Sequence, residues 1–218
     1  MSGQEVEGAA RGRRVGLTRS RVLDAALEII DRDGLAALSM RRLGAALGVE
    51  AMTIYHYVPN KDALLDGVLE EVFRQSYSRR LRSGSWQEQL RSYAHPLVDQ
   101  LREHPGIVPL MVQRPALTSQ TLGMMEQGLE VLHAAGFPLP RALQMIHALI
   151  GLAIGHVVAG GADDSEDRLG HLAQEDLSTF PLVGRAVQDA GGSHLPEPFE
   201  TALDAMIRGF EADLSTSA

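Results

Sequence analysis

Apolar positions recur at helical spacing from residue 17 onward. Leu23, Ala26, Leu27 and Ile30 stand at i, i+3, i+4 and i+7, which is one face of a helix. The spacing predicts a helix from Thr18 to about Asp33. Thr18 is its N-cap, Leu17 and Val22 its hydrophobic staple, and Gly34 its stop. The same grammar repeats at once. Ser39 caps a second helix that ends at Leu47-Gly48, with Leu38 and Leu43 as the staple pair. A turn at Gly48-Val49 leads into a third predicted helix, Glu50 to Tyr57, with Val49 and Ile54 at the staple positions. Pro59 cannot continue that helix. Asn60 caps a fourth, Lys61 to about Arg82, whose apolar side is Leu64, Leu65, Val68, Leu69, Val72 and Phe73.

The pattern beyond this point is again helical. Ser83-Gly84-Ser85 looks like a hinge. A helix is predicted from Trp86 to Glu103, bent at Pro96 and broken by His104-Pro105-Gly106, and a short one follows to about Gln113. Further helices are predicted over Ser119 to Ala135, over Pro138 or Leu139 to Gly160, and over Pro196 to Leu214. The last repeats Phe199, Leu203, Met206, Phe210 and Leu214 at spacings of three and four. The acidic, glycine-containing stretch 162–195 reads as a loop with one or two short helices. No β-alternation and no internal repeat interrupts the series, so the expected fold class is all-α. The organisation expected is a disordered arm over 1–16, a helix-turn-helix domain over 17–65 and a larger helical domain over 66–218. The helix over 61–82 is shared between the last two.

Composition narrows the picture. The chain has 218 residues and no cysteine, which excludes disulfides, zinc–thiolate sites and cysteine nucleophiles and fits a cytoplasmic setting. The first sixteen residues lack the apolar core of a secretory leader. Met145 to Ala162 is the longest apolar stretch. With His147 and His156 inside it, it reads as a buried helix and not a membrane span. Net charge is −8, yet it is divided unevenly: residues 8–61 carry nine basic groups against five acidic, residues 83–218 seven against seventeen. A basic head on an acidic body can grip phosphate locally while the body discourages indiscriminate binding.

Two short capped helices joined by a tight glycine turn can place the second helix in a DNA major groove. The run from Ser39 to Leu65 (SMRRLGAALGVEAMTIYHYVPNKDALL) closely resembles the DNA-binding signature of the tetracycline-repressor (TetR) family. Gly48-Val49, Ile54-Tyr55 and Asn60-Lys61-x-x-Leu64-Leu65 carry the match, which covers about residues 17–70 with the first helix included. His104-Pro105, Arg114-Pro115, Gly128-Leu129 through Gly136-Phe137 and Gly151–Gly155 resemble the family's helical C-terminal domain more loosely. The resemblance implies that Tyr55 and Lys61 contact phosphates. A lysine at a helix N-terminus is suited to that by itself. Ser39, Arg42 and Thr53 are further candidates for backbone contacts. Arg41, Ala51, Met52 and His56 are the candidates for base edges, since arginine suits guanine and an apolar side chain a thymine methyl. Tyr57 is balanced between packing and phosphate. Arg11, Arg13 and Arg14 read most simply as tail; the alternative is an arm that reaches DNA.

Other residues bear on partners. Met111, Met124 and Met125 suit an adaptable apolar pocket, with Gln113 and His147 as polar candidates for binding an effector. The approach to Arg114-Pro115 reads Leu110-Met111-Val112-Gln113, without the histidine that tetracycline-binding members use for the drug's magnesium. Gly151-x-x-x-Gly155 permits close helix contact, within the core or at a dimer interface. The reading is a regulator, most simply a repressor. It binds a palindromic operator in double-stranded DNA as a homodimer and is released by a small, largely apolar effector, with no cofactor, no metal and no membrane. The alternative is a helical ligand- or protein-binding module that does not bind DNA. No paired carboxylates, nucleophile elbow, phosphate loop or metal spacing points to an enzyme.

Overall fold

The computed structural model describes residues 16–78, 83–114, 117–160, 170–191 and 197–216. These residues are helical, with no strand among them. The helices are α1 (Arg19–Asp33), α2 (Met40–Leu47), α3 (Ala51–Ile54), α4 (Lys61–Ser78), α5 (Trp86–Glu103), α6 (Val108–Gln113), α7 (Ser119–Ala134), α8 (Leu139–Val158), α9 (Pro181–Gly191) and α10 (Pro198–Thr216). Short 3-10 turns precede α2 and α6, at Leu35–Ala37 and Pro105–Ile107. The basic arm, the end of the fourth predicted helix after residue 78 and much of the acidic loop lie outside the described residues.

Local chemistry sets the first boundaries. The Thr18 side chain accepts a hydrogen bond from the Arg21 amide, Ser39 Oγ accepts one from Arg42 N and Asn60 Oδ1 one from Ala63 N. Each satisfies a backbone donor that the helix itself leaves unpaired. Ser85 and Glu88 close a full capping box at the start of α5, which then runs through Pro96 without ending.

A continuous cluster of buried side chains runs from Val22, Ile29 and Ile30 on α1 through Leu43 and Ile54 to Leu97 and Leu101 on α5 and Leu203 and Ile207 on α10. α5 is the spine, packed against α4 on one side and α8 on the other. α7 and α10 lie on α8. Ion pairs add to the seam between α5 and α10, with Arg91 2.7 Å from Asp204 and Arg102 3.7 Å from Glu197.

Two expectations change. The third helix is shorter than Glu50 to Tyr57. It spans Ala51–Ile54, and its close is tight, with His56 N bonding to Thr53 O and Tyr57 N to Ile54 O. Those three-residue steps are the tightened turn a chain makes when Pro59 forbids another α-turn. The long apolar helix is α8, which by length and composition could cross a membrane, and only 22% of its most apolar window is buried within the chain. The expectation of a buried helix holds for one face alone. Ala142, Met145, Leu149 and Ala153 are buried, whereas Ala148, Gly151, Gly155 and Val158 are exposed.

Candidate DNA-reading surface and effector cavity

The α2–turn–α3 unit is held at close range by a glycine. A Cβ on Gly44 would stand 2.8 Å from Val49 O and 3.1 Å from Ala51 N, so only glycine lets α2 touch the start of α3. Gly48 makes the turn, at φ 67° and ψ 30°, in the left-handed region that glycine enters without penalty. Ile54 and Leu43 anchor the unit from below, fully buried. The outer edge of α3 is therefore presented, not packed. Met52 is 70% exposed and Tyr55 42% exposed, and His56 is exposed as well. Ala51 and Thr53 are half-buried, and Tyr57 is half-buried and packs against the core cluster.

The cations around this edge differ in their freedom. Arg41 is exposed and has no side-chain hydrogen bond or ion pair among the described residues. Arg42 lies across Asp33, Nη2 2.6 Å from the carboxylate, which in turn takes Arg32 Nε at 2.8 Å. Ser39 is exposed, with its hydroxyl already capping α2. Lys61, the only lysine in the chain, donates from Nζ to Leu38 O at 2.7 Å while its side chain remains exposed. That bond ties the first residue of α4 to the segment before α2 and leaves two ammonium protons for an anion.

The second feature is a partly open cavity of about 440 Å³ in the helical body, lined by residues of α4 to α8. Met111, Met124, Met125 and His147 line it; Gln113 is exposed and does not. Gln113 is the last residue of α6, and its neighbour Arg114 takes the place in the wall. Sequence reasoning did not single out the cavity's polar wall, which includes Tyr77, Gln89, Tyr93 and Thr121. The two tyrosines meet edge to face at 6.3 Å, and Tyr77 donates to Gln127 Oε1 at 2.5 Å. Burial pushes the Tyr93 phenol well above its ordinary value, with Tyr77 adding to the effect, so it stays neutral. Tyr77 alone had a signal in the sequence, its position: it lies one helical turn beyond Phe73, a member of the apolar face, on α4.

Contacts connect the two features. α4 carries Lys61 at one end and Leu69, Phe73 and Tyr77 of the cavity wall further along. Arg114 Nη1 lies 2.6 Å from Asp62 Oδ1 and its Nη2 3.5 Å from Asp66 Oδ1, both on α4. Gly106, in the turn before α6, sits so near α1 that a Cβ there would lie 2.8 Å from Ile30 O.

Two family models match the chain. Residues 22–68 match the family described as bacterial regulatory proteins, tetR family, and residues 80–214 match the tetracyclin repressor-like C-terminal domain. Tetracycline repressor protein class D of Escherichia coli is 31% identical over 212 residues, 91% of each chain. The HTH-type transcriptional repressor DrrR1 of Streptomyces coeruleorubidus is 35% identical over 147 residues, which are 67% of this chain and 54% of that one. The chain thus spans about half the length of DrrR1. ActR of Streptomyces coelicolor superposes in its apo form with a TM-score of 0.74 at 26% identity, covering 93% of this chain and 98% of ActR. Its complex with (S)-DNPA superposes with a TM-score of 0.72 at 26% identity, over 90% and 98%.

Proposed function

Because the chain belongs to the tetracycline-repressor (TetR) family of DNA-binding transcriptional regulators, we propose that it is a cytoplasmic homodimeric repressor released from a palindromic operator by a small, largely apolar effector. The observation that carries the reading is the exposed edge of α3. A methionine left 70% in water on α3, with an exposed arginine on α2 that has no partner among the described residues, is not accounted for by packing among those residues. It suits a thymine methyl next to a guanine. In this reading Arg41, Ala51, Met52 and His56 face base edges. Ser39, Thr53, Tyr55 and Lys61 meet phosphates. Arg42 joins them only by leaving Asp33. Residues 17–65 act as the head and 66–218 as the body.

Dimerisation supplies the second head. Ala148, Gly151 and Gly155 on α8 and Ala205 and Gly209 on α10 form exposed stripes of small residues. Among the described residues nothing within 4 Å would meet a Cβ at Gly151, Gly155 or Gly209, so their smallness answers to no contact with those residues. Two such helix pairs close a four-helix interface and set the heads one DNA turn apart, roughly 34–36 Å. The effector occupies the cavity. It favours a conformer with wrongly spaced heads, and a coupling of about 1–3 kcal/mol makes a useful switch.

The test is a footprint of the DNA upstream of the gene, followed by a salt titration. A protected palindrome with a steep salt slope is expected. Lys61→Ala weakens all duplexes alike, whereas Arg41→Ala costs about 1–3 kcal/mol and relaxes preference at one base pair. No protected palindrome at low salt rejects the reading.

A further inference from the structure

Among the described residues, Arg114 is the one lining residue of the cavity that carries a full charge. No aspartate, glutamate or lysine is among the described residues of the wall, and His147 is the only other titratable side chain among them besides two tyrosines. The rest is methionine, aliphatic and aromatic surface with a few neutral polar groups. An apolar chamber with a single guanidinium at its edge complements one kind of molecule: an apolar ring body that ends in an anion. A guanidinium offers five N–H donors in a plane, the geometry that takes a carboxylate through two parallel bonds.

The Arg114 guanidinium is itself held on α4. Asp62 and Asp66, one turn apart at the start of α4, hold it at 2.6 and 3.5 Å, and Asp62 directly follows Lys61. The Arg114 side chain is 30% exposed and Asp62 74% exposed, so this grip is solvent-weakened and can be exchanged. An anion arriving in the cavity competes with the two carboxylates for the same cation.

We propose that the effector is an amphiphilic organic acid whose anionic group binds Arg114 and draws it from Asp62 and Asp66. This deepens the reading of the cavity as an effector site and rests on it. The acid is the signal. By removing the cation that pins the first turns of α4, it frees the segment that carries Lys61, and operator affinity falls. The two aspartates oppose the incoming anion, so the site answers to concentration and does not hold its ligand permanently.

The experiment uses a size-matched pair, anthraquinone-2-carboxylic acid and its methyl ester, titrated calorimetrically into the full chain. The acid is expected to bind about tenfold more tightly than the ester. Arg114→Gln erases that preference and leaves the ester affinity within about twofold, which also shows that the variant keeps its cavity. Asp66→Asn strengthens the acid several-fold and leaves the ester unchanged. The acid, and not the ester, weakens operator binding by the wild type. Equal binding of acid and ester overturns the proposal, as does a preference that survives Arg114→Gln or an acid that fails to bind at about 1 mM. If the acid preference is present but no operator is bound at low salt, the regulator reading fails and the acid site stands.

Discussion

His104 Nδ1 lies 2.7 Å from Asp31 Oδ2, joining the residue after α5 to the last turns of α1. The two side chains are only 16% and 27% exposed, and the turn they flank carries Gly106, pressed against Ile30 of α1. α1 therefore meets the body at a polar clasp beside a close backbone approach. This seam and the Arg114–Asp62 contact are separate attachments of the head.

His104→Ala tests the clasp. Removing a half-buried pair of this kind costs about 1 kcal/mol. For a chain of this size, that is a melting point lower by about 2–4 °C. Operator affinity without effector falls little, but release by effector becomes less complete, because one of the two attachments no longer transmits. Calorimetry and effector-titrated gel shifts measure the two effects. An unchanged melting point would remove the clasp from the account.

Gly44 and Gly48 separate two kinds of glycine requirement. Gly44→Ala forces a methyl to 2.8 Å from Val49 O, which overpacks the joint between α2 and α3 at a cost of about 1–3 kcal/mol. Operator binding falls at least in proportion, since α3 must move. Gly48→Ala meets no atom within 4 Å but must hold φ 67°, costing about 1–2 kcal/mol in the left-handed region with the α3 edge in place. Thermal melts should rank the two near each other, whereas DNA binding should suffer far more in Gly44→Ala.

That contrast also explains what was legible in the sequence. Caps at Thr18, Ser39 and Asn60 and the turn at Gly48 are local devices, decided by residues within three or four of each other, and the chain shows them directly. Helix count and class follow from the same local grammar. Gly44 carried no such signal: inside a helix it looks like a weak point, and its reason is a backbone brought close from seven residues on. The third helix was overestimated because Tyr55, His56 and Tyr57 continue an apolar and aromatic run that does not reveal where hydrogen bonding tightens. The cavity wall needs the five helices α4 to α8 to be assembled before Tyr77, Tyr93 and Arg114 come to share it. The α8 stripe was visible as small residues, but its exposure appears only when the other face is seen to be filled.

His156 sets a pH dependence. Its side chain is 8% exposed, with Nε2 2.8 Å from Arg102 Nη2, 3.3 Å from Glu197 Oε1, and its ring 5.1 Å from Phe199. Arginine can only donate, so Nε2 is the acceptor of a neutral ring. Burial lowers the imidazole below its ordinary 6.5; Glu197 pulls upward and Arg102 adds to the lowering. Below 6.5 the unfolded chain takes a proton that the native ring refuses, so native stability declines as pH falls from that value. Carboxylates act in a lower window. Glu71, held by Arg74, and Asp204, held by Arg91, sit below their ordinary values, and their contribution is lost only as pH falls through those lowered values. Urea melts of wild type and His156→Gln between pH 7.5 and 5.5 should show a slope in the first that is flattened in the second, roughly over the histidine range. Equal slopes would assign the acid sensitivity elsewhere.

Gly155→Leu decides what the exposed face of α8 is for. A Cβ at this exposed position meets nothing within 4 Å among the described residues, so the subunit is expected to fold with a side chain there. Replacing glycine by leucine in a helix even favours the helix by about 0.5–1 kcal/mol. If the stripe of Ala148, Gly151 and Gly155 is where two copies meet, leucine holds the helices apart and the dimer is lost. Light scattering then reports half the wild-type mass, with the helical circular-dichroism signal unchanged. Operator affinity falls much further than any single head contact explains, because the second head no longer adds its binding through proximity. A wild-type mass that persists in the variant would place the interface on another surface. A wild type that is itself monomeric would remove the palindrome from the mechanism and leave α8 with an apolar face that no second copy covers.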